Sequence, residues 1–559
     1  MKKVLLLTVL IFLLTGCATV VTTNKQTTTN ITIKTTNPIK TTSKKEETTI
    51  EMTTTIKPID NKVVSKINYL DNGRAVYEVR GKVMTYIGAQ VRYDGLTNRG
   101  EGEHFDPNAP LPLTKEEIKE YFVEAKKFGL NVLAISLDWR DLEKEKDVFT
   151  FDEIDMLMDL AQETDMKFEI LWFSTNMCGD LHSFHIPDYI FDDDETYPKM
   201  IPNSGSYSGM YGYKTKYIVL DNPNLLEREY NAVKTLMNHI ADYNTQKGYD
   251  YPVIGMQIHN ESDGLLRWRY DQKEITLNGE RVSKERLWEM TLNALNNVGM
   301  AVKDSNYVVV TRCNMTTSYG TSPFPQADFA CPWDVYNLEG VDIVGDDPYT
   351  ENTETFAKLI NEYSENGNYA HVAENMGDYP MTDSYILKTV TNGGGYLIYD
   401  FATPEFFNYL NRGSSYRMDQ GIVNSNFTFK AHSQNAKDVI SIINKAGYPL
   451  FTSLKEDMYS FNTGNIRNNE EVEEFTLRDV SYKMSTNTNG IGYVLKYNGG
   501  ILVSCTSSAI LEVLSGANMP KTAYEASFDY NEMVKLNKVY PVENKITLEG
   551  LKLYYIPLK

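Results

Sequence analysis

Two glutamates have the surroundings for paired-carboxylate chemistry. Glu261 closes the stretch V-I-G-M-Q-I-H-N-E (253–261), an apolar run with β-branched ends followed at once by His259, Asn260 and Glu261. Glu374 follows a second short apolar run, 369–373, and precedes Asn375. Runs of this kind read as strands buried on both faces of a parallel sheet, so each carboxyl sits where a strand ends. Two carboxyls facing one another can divide labour. A protonated one donates to a leaving oxygen, while an ionised one attacks carbon or activates water. Either glutamate alone would read as the start of a solvated loop. The pair acquires meaning only if the chain brings both strand ends to one mouth.

The intervening pattern supplies that arrangement. Strand-like runs are expected at 83–91, 130–137, 166–173, 253–258, 307–311, 341–345, 369–373 and 395–399. Helical periods fall between them at 114–128, 151–163, 224–243 and 284–302, with one reaching about 365 and a last at 435–444. Thr114 with Glu117 forms a capping box, and Gly129 supplies a C-terminal stop. Eight strands alternating with helices predict a (β/α)₈ TIM barrel over 59–447, with a hairpin before it at 63–79. No glycine-rich phosphate turn follows the first strand, which argues against a doubly wound open sheet. In such a barrel the strand ends form the mouth, and strands four and seven face each other across it. Beyond Gly447 the helical period disappears. Short β-rich segments separated by turn residues predict an all-β, sandwich-like domain over 448–559.

The N-terminus has a different composition. Lys2 and Lys3 precede an apolar segment (4–14) too short to span a bilayer, and Leu14-Thr15-Gly16-Cys17 follows. Residues 1–17 read as a signal peptide whose ending resembles the bacterial lipobox, so Cys17 is the expected lipidation site. Residues 18–58 form a threonine-rich tether that cannot bury enough apolar surface to fold. Residues 1–58 hold eight lysines and three glutamates, a charge of +5, so the remainder carries −25 of the total −20. An acidic body excludes nucleic acid as a partner, and a basic tether suits an anionic membrane face. The expected location is the outer side of a cell membrane, held by the lipid. Cys178, Cys313, Cys331 and Cys505 show no C-x-x-C spacing, so no zinc site is expected. Free thiols or one disulfide both fit. Nothing in the sequence asks for a metal or another cofactor.

Facing carboxylates at strands four and seven are suited to glycosidic bond cleavage. At this point the chain resembles the clan A glycoside hydrolases, whose barrels carry an Asn-Glu acid/base at strand four and a Glu nucleophile at strand seven. Asn260-Glu261 and Glu374 match that arrangement. The β-galactosidase-type families 35 and 42 are the most similar. The stretch A-K-K-F-G-L-N-V-L-A-I-S-L-D-W (125–139), F-T-F-D-E-I-D-M-L-M-D-L-A (149–161) and F-E-I-L-W-F (168–173) looks like theirs, and Ile186-Pro-Asp-Tyr-Ile190 is similar to the Leu-Pro-x-Trp-Leu of family 35. Two stretches depart: Trp139-Arg-Asp-Leu-Glu143 stands where family 35 has Trp-Asn-x-His-Glu-Pro, and Asn176-Met-Cys-Gly179 replaces an acidic segment. Both shape the subsite that grips the terminal sugar.

The resemblance implies retaining hydrolysis of a β-linked sugar, a β-galactoside first, from an oligo- or polysaccharide; the large aromatic-rich insertions after strands three and five to six, which could wall off one end of the cleft, point to action on a terminal sugar. Glu261 would be acid/base and Glu374 nucleophile, with Asn260 on the sugar 2-hydroxyl. Arg92, Trp139, Asn176, Trp333 and Tyr349 are candidate substrate contacts, and Trp172 is a weaker one because it lies inside a strand. Arg92 reads equally well as a structural salt bridge, and His259 as a supporting hydrogen-bond partner. The rival readings are an endo-acting β-glucanase or mannanase of the same clan, and a sugar-binding lipoprotein without turnover, which would not need the two carboxyls.

Overall fold

The computed structural model describes residues 62–91, 115–177, 185–202, 216–264, 266, 275–316, 331–376, 381–399, 431–463, 472–486 and 488–558. The leader, Cys17, the tether, Arg92, Thr114 and Cys178 lie outside them. Eight parallel strands close into a barrel: Ile87–Val91, Val132–Asp138, Lys167–Met177, Val253–Asn260, Val310–Met315, Ile343–Asp346, His371–Met376 and Gly395–Tyr399. The first pairs with the eighth, Ile87 opposite Tyr396, and the fourth with the fifth, Gly255 opposite Val310. The (β/α)₈ expectation is met.

Helices cover the outside, including Lys115–Phe128, Asp152–Thr164, Pro223–Lys247, Lys284–Lys303, Thr353–Tyr363 and Ala431–Ala446. Gly129 does end the first of these, at φ +99°, a conformation that only glycine adopts without strain. The fifth strand begins and ends a few residues later than its apolar run suggests. Helix Thr382–Thr391, between strands seven and eight, is unforeseen. Its threonines weaken the helical signal, but Tyr385, Ile386 and Val390 bury one face.

Two strands, Ser65–Tyr69 and Ala75–Val79, pair antiparallel and plug the end where the barrel strands begin. Tyr77 donates its hydroxyl to the carbonyl of Ile254 (2.6 Å), and Ser65 Oγ accepts from the backbone N–H of Val310 (2.8 Å). Above this plug the barrel interior is filled by Tyr77, Tyr86, Val132, Leu171, Ile254 and Leu397. Deeper polar content is matched: Glu169 and Arg312, both enclosed, form an ion pair at 2.5 Å, and Tyr86 donates to the other Glu169 oxygen. Among the described residues this end of the barrel is closed by the hairpin and by matched polar groups.

Beyond a short helix, Tyr448–Thr452, the chain forms antiparallel sheets of six and four strands. Alternation along Gly490–Tyr497 explains how they are held. Val494 faces the space between the sheets, with Phe475, Met484 and Leu511, while Tyr493 and Leu495 face the barrel. Tyr493 donates to the carbonyl of Ile442 in the last barrel helix (3.0 Å), and Asn462 Nδ2 donates to Ser384 Oγ (2.7 Å). The sheets thus serve as an outer wall for the last two helices. Cys313, Cys331 and Cys505 are free thiols, and among the described residues no helix is long and apolar enough to cross a membrane.

Candidate active site

The fourth strand is buried throughout, and its last residues break strand geometry. His259 (φ +57°) and Glu261 (φ +46°) adopt left-handed backbone conformations that side-chain-bearing residues rarely take. Regular alternation would send Asn260 and Glu261 to opposite faces. The two turns instead direct His259 outward, toward Glu229 (3.5 Å) and Ser174 (3.4 Å), and bring both Asn260 and Glu261 to the mouth. Glu229, on helix Pro223–Lys247, also accepts from Trp172 Nε1 (3.0 Å) and from Ser174 Oγ. Burial holds the His259 imidazole below its ordinary pKa, with Glu229 opposing. His259 is a buried bracket between strand and helix.

The seventh strand is also irregular. Its pairing with strand eight slips between Val372 and Asn375, the signature of a bulge, which re-aims side chains near sites. Asn375 points out, donating to Tyr396 (3.1 Å), so Glu374 points in. Tyr349, itself at φ +32°, donates its hydroxyl to Glu374 Oε2. One carboxyl oxygen each from Glu261, Glu374 and a third residue, Asp347, lie within 4.8 Å of one another. Glu261 and Glu374 are 4% exposed and Asp347 not at all. At an effective dielectric of about 20, two ionised carboxyls this close repel by about 3 kcal/mol. The three cannot all be comfortably ionised, so protons are shared among them or a cation sits between them. An acidic cluster alone does not make a metal site.

Asn314, at the end of strand five, ties the group together. Its Oδ1 accepts from the backbone N–H of Glu261 (3.0 Å), which fixes Nδ2 as the donor end. That donor reaches both Asn260 Oδ1 (2.9 Å) and Asp347 Oδ2 (2.7 Å). Gln257 Nε2 also donates to Asn260 Oδ1 (2.8 Å), so the Asn260 amide is oriented by two donors on one oxygen. Asp263 in turn accepts from Thr316 Oγ1 (2.9 Å), pinning the loop after strand four to the end of strand five.

Of the residues singled out in the sequence, Glu261, Glu374, Asn260 and Tyr349 come together. Asn176 is the last residue but one of strand three, and its side chain, like Arg92, lies outside the described residues. One expectation needs correction. Trp139 is fully buried beside Trp172 and donates Nε1–H to Glu143 (2.9 Å), so it offers no face to a sugar. Trp333 is half-buried and packs against Tyr336 and Tyr363 in the helix layer.

Asp347 and Asn314 join the site without being singled out by the sequence pattern. Asp347 had a signal, since the sixth strand ends in Asp346-Asp347. Alternation sends Asp346 out, where it accepts from Tyr363 (3.0 Å), and leaves Asp347 facing in.

A domain of unknown function (DUF4978) matches residues 290–470. That segment holds Asn314, Asp347 and Glu374 but not Glu261. No curated protein matches the chain. Among solved structures it is similar in fold to an endo-1,4-β-mannanase from Rhizomucor miehei, at 12% identity and TM-score 0.39, covering 60% of this chain and 89% of that one. It is also similar to a β-galactosidase from Halorubrum lacusprofundi, at 11% and 0.45, covering 65% and 58%. A third is endo-glycoceramidase II from Rhodococcus sp., at 10% and 0.41, covering 88% and 99%. These likenesses are remote, and the functional reading rests on the site.

Proposed function

We propose that this chain is a retaining glycoside hydrolase removing a terminal β-linked sugar, with a β-galactoside the first substrate to expect. The observation that carries the reading is the approach of Glu261 and Glu374 across the mouth, with oxygens within 4.8 Å. Inverting enzymes hold their carboxyls roughly 6.5–9.5 Å apart to admit a water, and retaining ones about 5–5.5 Å apart. The short separation supports double displacement. Glu374, ionised, attacks the anomeric carbon as the glycosidic bond breaks, and the Glu261 proton passes to the leaving oxygen. Water then attacks the same carbon, its proton returns to Glu261, and the bond to Glu374 breaks. The Tyr349 hydroxyl steadies Glu374, and the oriented Asn260 amide suits the sugar 2-hydroxyl.

A panel of nitrophenyl glycosides offered to the full chain tests this reading. Release of nitrophenol from one β-glycoside, with retained configuration in the first-formed sugar, is the expected result. A mid-chain cut in a polysaccharide, seen as a rapid viscosity drop, would replace terminal cleavage with endo action. Tight sugar binding without turnover would replace the hydrolase with a binding protein. The same proposal holds the body outside the cell through lipidated Cys17 and its tether, and Cys17→Ser should abolish membrane fractionation.

A further inference from the structure

Double displacement assigns work to Glu261 and Glu374 and leaves Asp347 without any. Yet Asp347 is the most enclosed of the three, with no exposure at all. Its Oδ2 accepts from Asn314, and among the described residues its Oδ1 has no hydrogen-bond partner. An ionised carboxylate with one bare oxygen in a dry site is a costly arrangement, whereas a neutral carboxyl turns that oxygen into a donor. The groups acting on Asp347 are Glu374 on strand seven, Glu261 after strand four, Asp346 beside it and Arg312 on strand five. Burial first, then the three carboxyls, push it well above the usual carboxylate range, with Arg312 opposing.

We propose that Asp347 keeps a proton on Oδ1 throughout turnover and serves as a positioning residue, its O–H pointing to whichever of Glu374 and Glu261 carries the negative charge. The charge moves once in each half-reaction. In the free enzyme Glu374 is ionised and Glu261 protonated. After the first displacement Glu374 is an ester and Glu261, having given its proton to the leaving oxygen, is ionised. With Asp347 neutral, the trio holds one negative charge at both stages. The Asp347 proton is never transferred; it is a donor that follows the charge. The proton on Asp347 rests on its enclosure, its unpartnered Oδ1 and the two carboxyls beside it, while its following of the charge rests on the hydrolase reading above.

Infrared difference spectra of the full chain, wild type against Asp347→Asn, test the proton directly. The expected result is a protonated-carboxyl band in the wild type that shifts in D₂O, vanishes in the variant and persists as pH rises through the basic limb of activity. Its absence would overturn the proposal. So would its absence together with loss of activity on chelation, because a cation would then occupy the proton's place. Kinetics of Asp347→Asn supply the second arm. A neutral amide replaces a neutral acid and keeps a donor, so kcat/KM should stay within about tenfold of wild type and the basic limb should not move. Asp347→Ala, which deletes the donor, should fall well below Asp347→Asn. If Asp347 were ionised, removing its charge would ease ionisation of Glu261, and the limb of Asp347→Asn would move to lower pH. A band without any glycosidase activity would uphold the proton and defeat the hydrolase reading. Activity without the band would do the reverse.

Discussion

Glu169 and Asp347 are both enclosed carboxyls on inward-facing positions of one barrel, and their neighbours differ in sign. Glu169 meets Arg312 at 2.5 Å and accepts from Tyr86. Burial raises its pKa and the Arg312 charge opposes the rise. Asp347 meets Glu261 and Glu374. Below, charge is matched and the groups cement the barrel; above, like charges are crowded. Burial alone therefore does not mark a site, since both residues have it. The sign of the nearest partner does.

Deleting one carboxyl from each region should separate the two roles. The largest effect belongs to Glu374→Ala, which removes the proposed attacking group and should lower kcat by at least about 10³-fold on every substrate with little change in melting temperature. Glu169→Gln should do the opposite. It orphans Arg312 in the barrel interior, at a cost of about 3–5 kcal/mol in denaturant unfolding, while the folded fraction keeps its activity. Equal losses of stability in the two variants would erase the distinction.

Much of the fold is legible in the amino-acid sequence. The period of the apolar runs located all eight strands, because a parallel barrel needs continuous apolar segments and these have them. Glu261 and Glu374 were visible because each directly follows such a run. Asn314 was not, because strand five runs on to Met315, beyond the apolar stretch that advertises it. Trp139 misled for a physical reason: it follows a strand, but a single helical turn, Trp139–Leu142, folds it back under Trp172. The left-handed turns at His259 and Glu261 and the bulge before Glu374 leave no mark in residue types, yet they decide which side chains face the mouth.

Stability against pH offers a smaller and subtler contrast. The folded Asp347 pKa is raised, so from about pH 4 upward the unfolded chain sheds a proton that the folded one keeps. Wild-type stability should then fall relative to Asp347→Asn by up to about 1.4 kcal/mol per pH unit, with no difference below about pH 4. His371, enclosed near Arg312, is held well below its ordinary value by burial, so its contribution runs the other way. It is present above about pH 6.5 and lost on acidification, and His371→Gln should remove that loss. Parallel stability curves for wild type and Asp347→Asn would contradict the unequal charge assignment.

Glu261 and Glu374 are proposed to hold different offices, and azide rescue separates them. In Glu261→Ala an activated aryl glycoside can still form the glycosyl-enzyme, because its leaving group departs without a proton. No base remains to activate water, so the intermediate should accumulate until azide, which needs none, displaces Glu374. Proton NMR of the product should show a β-glycosyl azide from Glu261→Ala, and an α-glycosyl azide from Glu374→Ala, where azide takes the nucleophile's place. An α product from Glu261→Ala, or wild-type rates in both variants, would contradict the account.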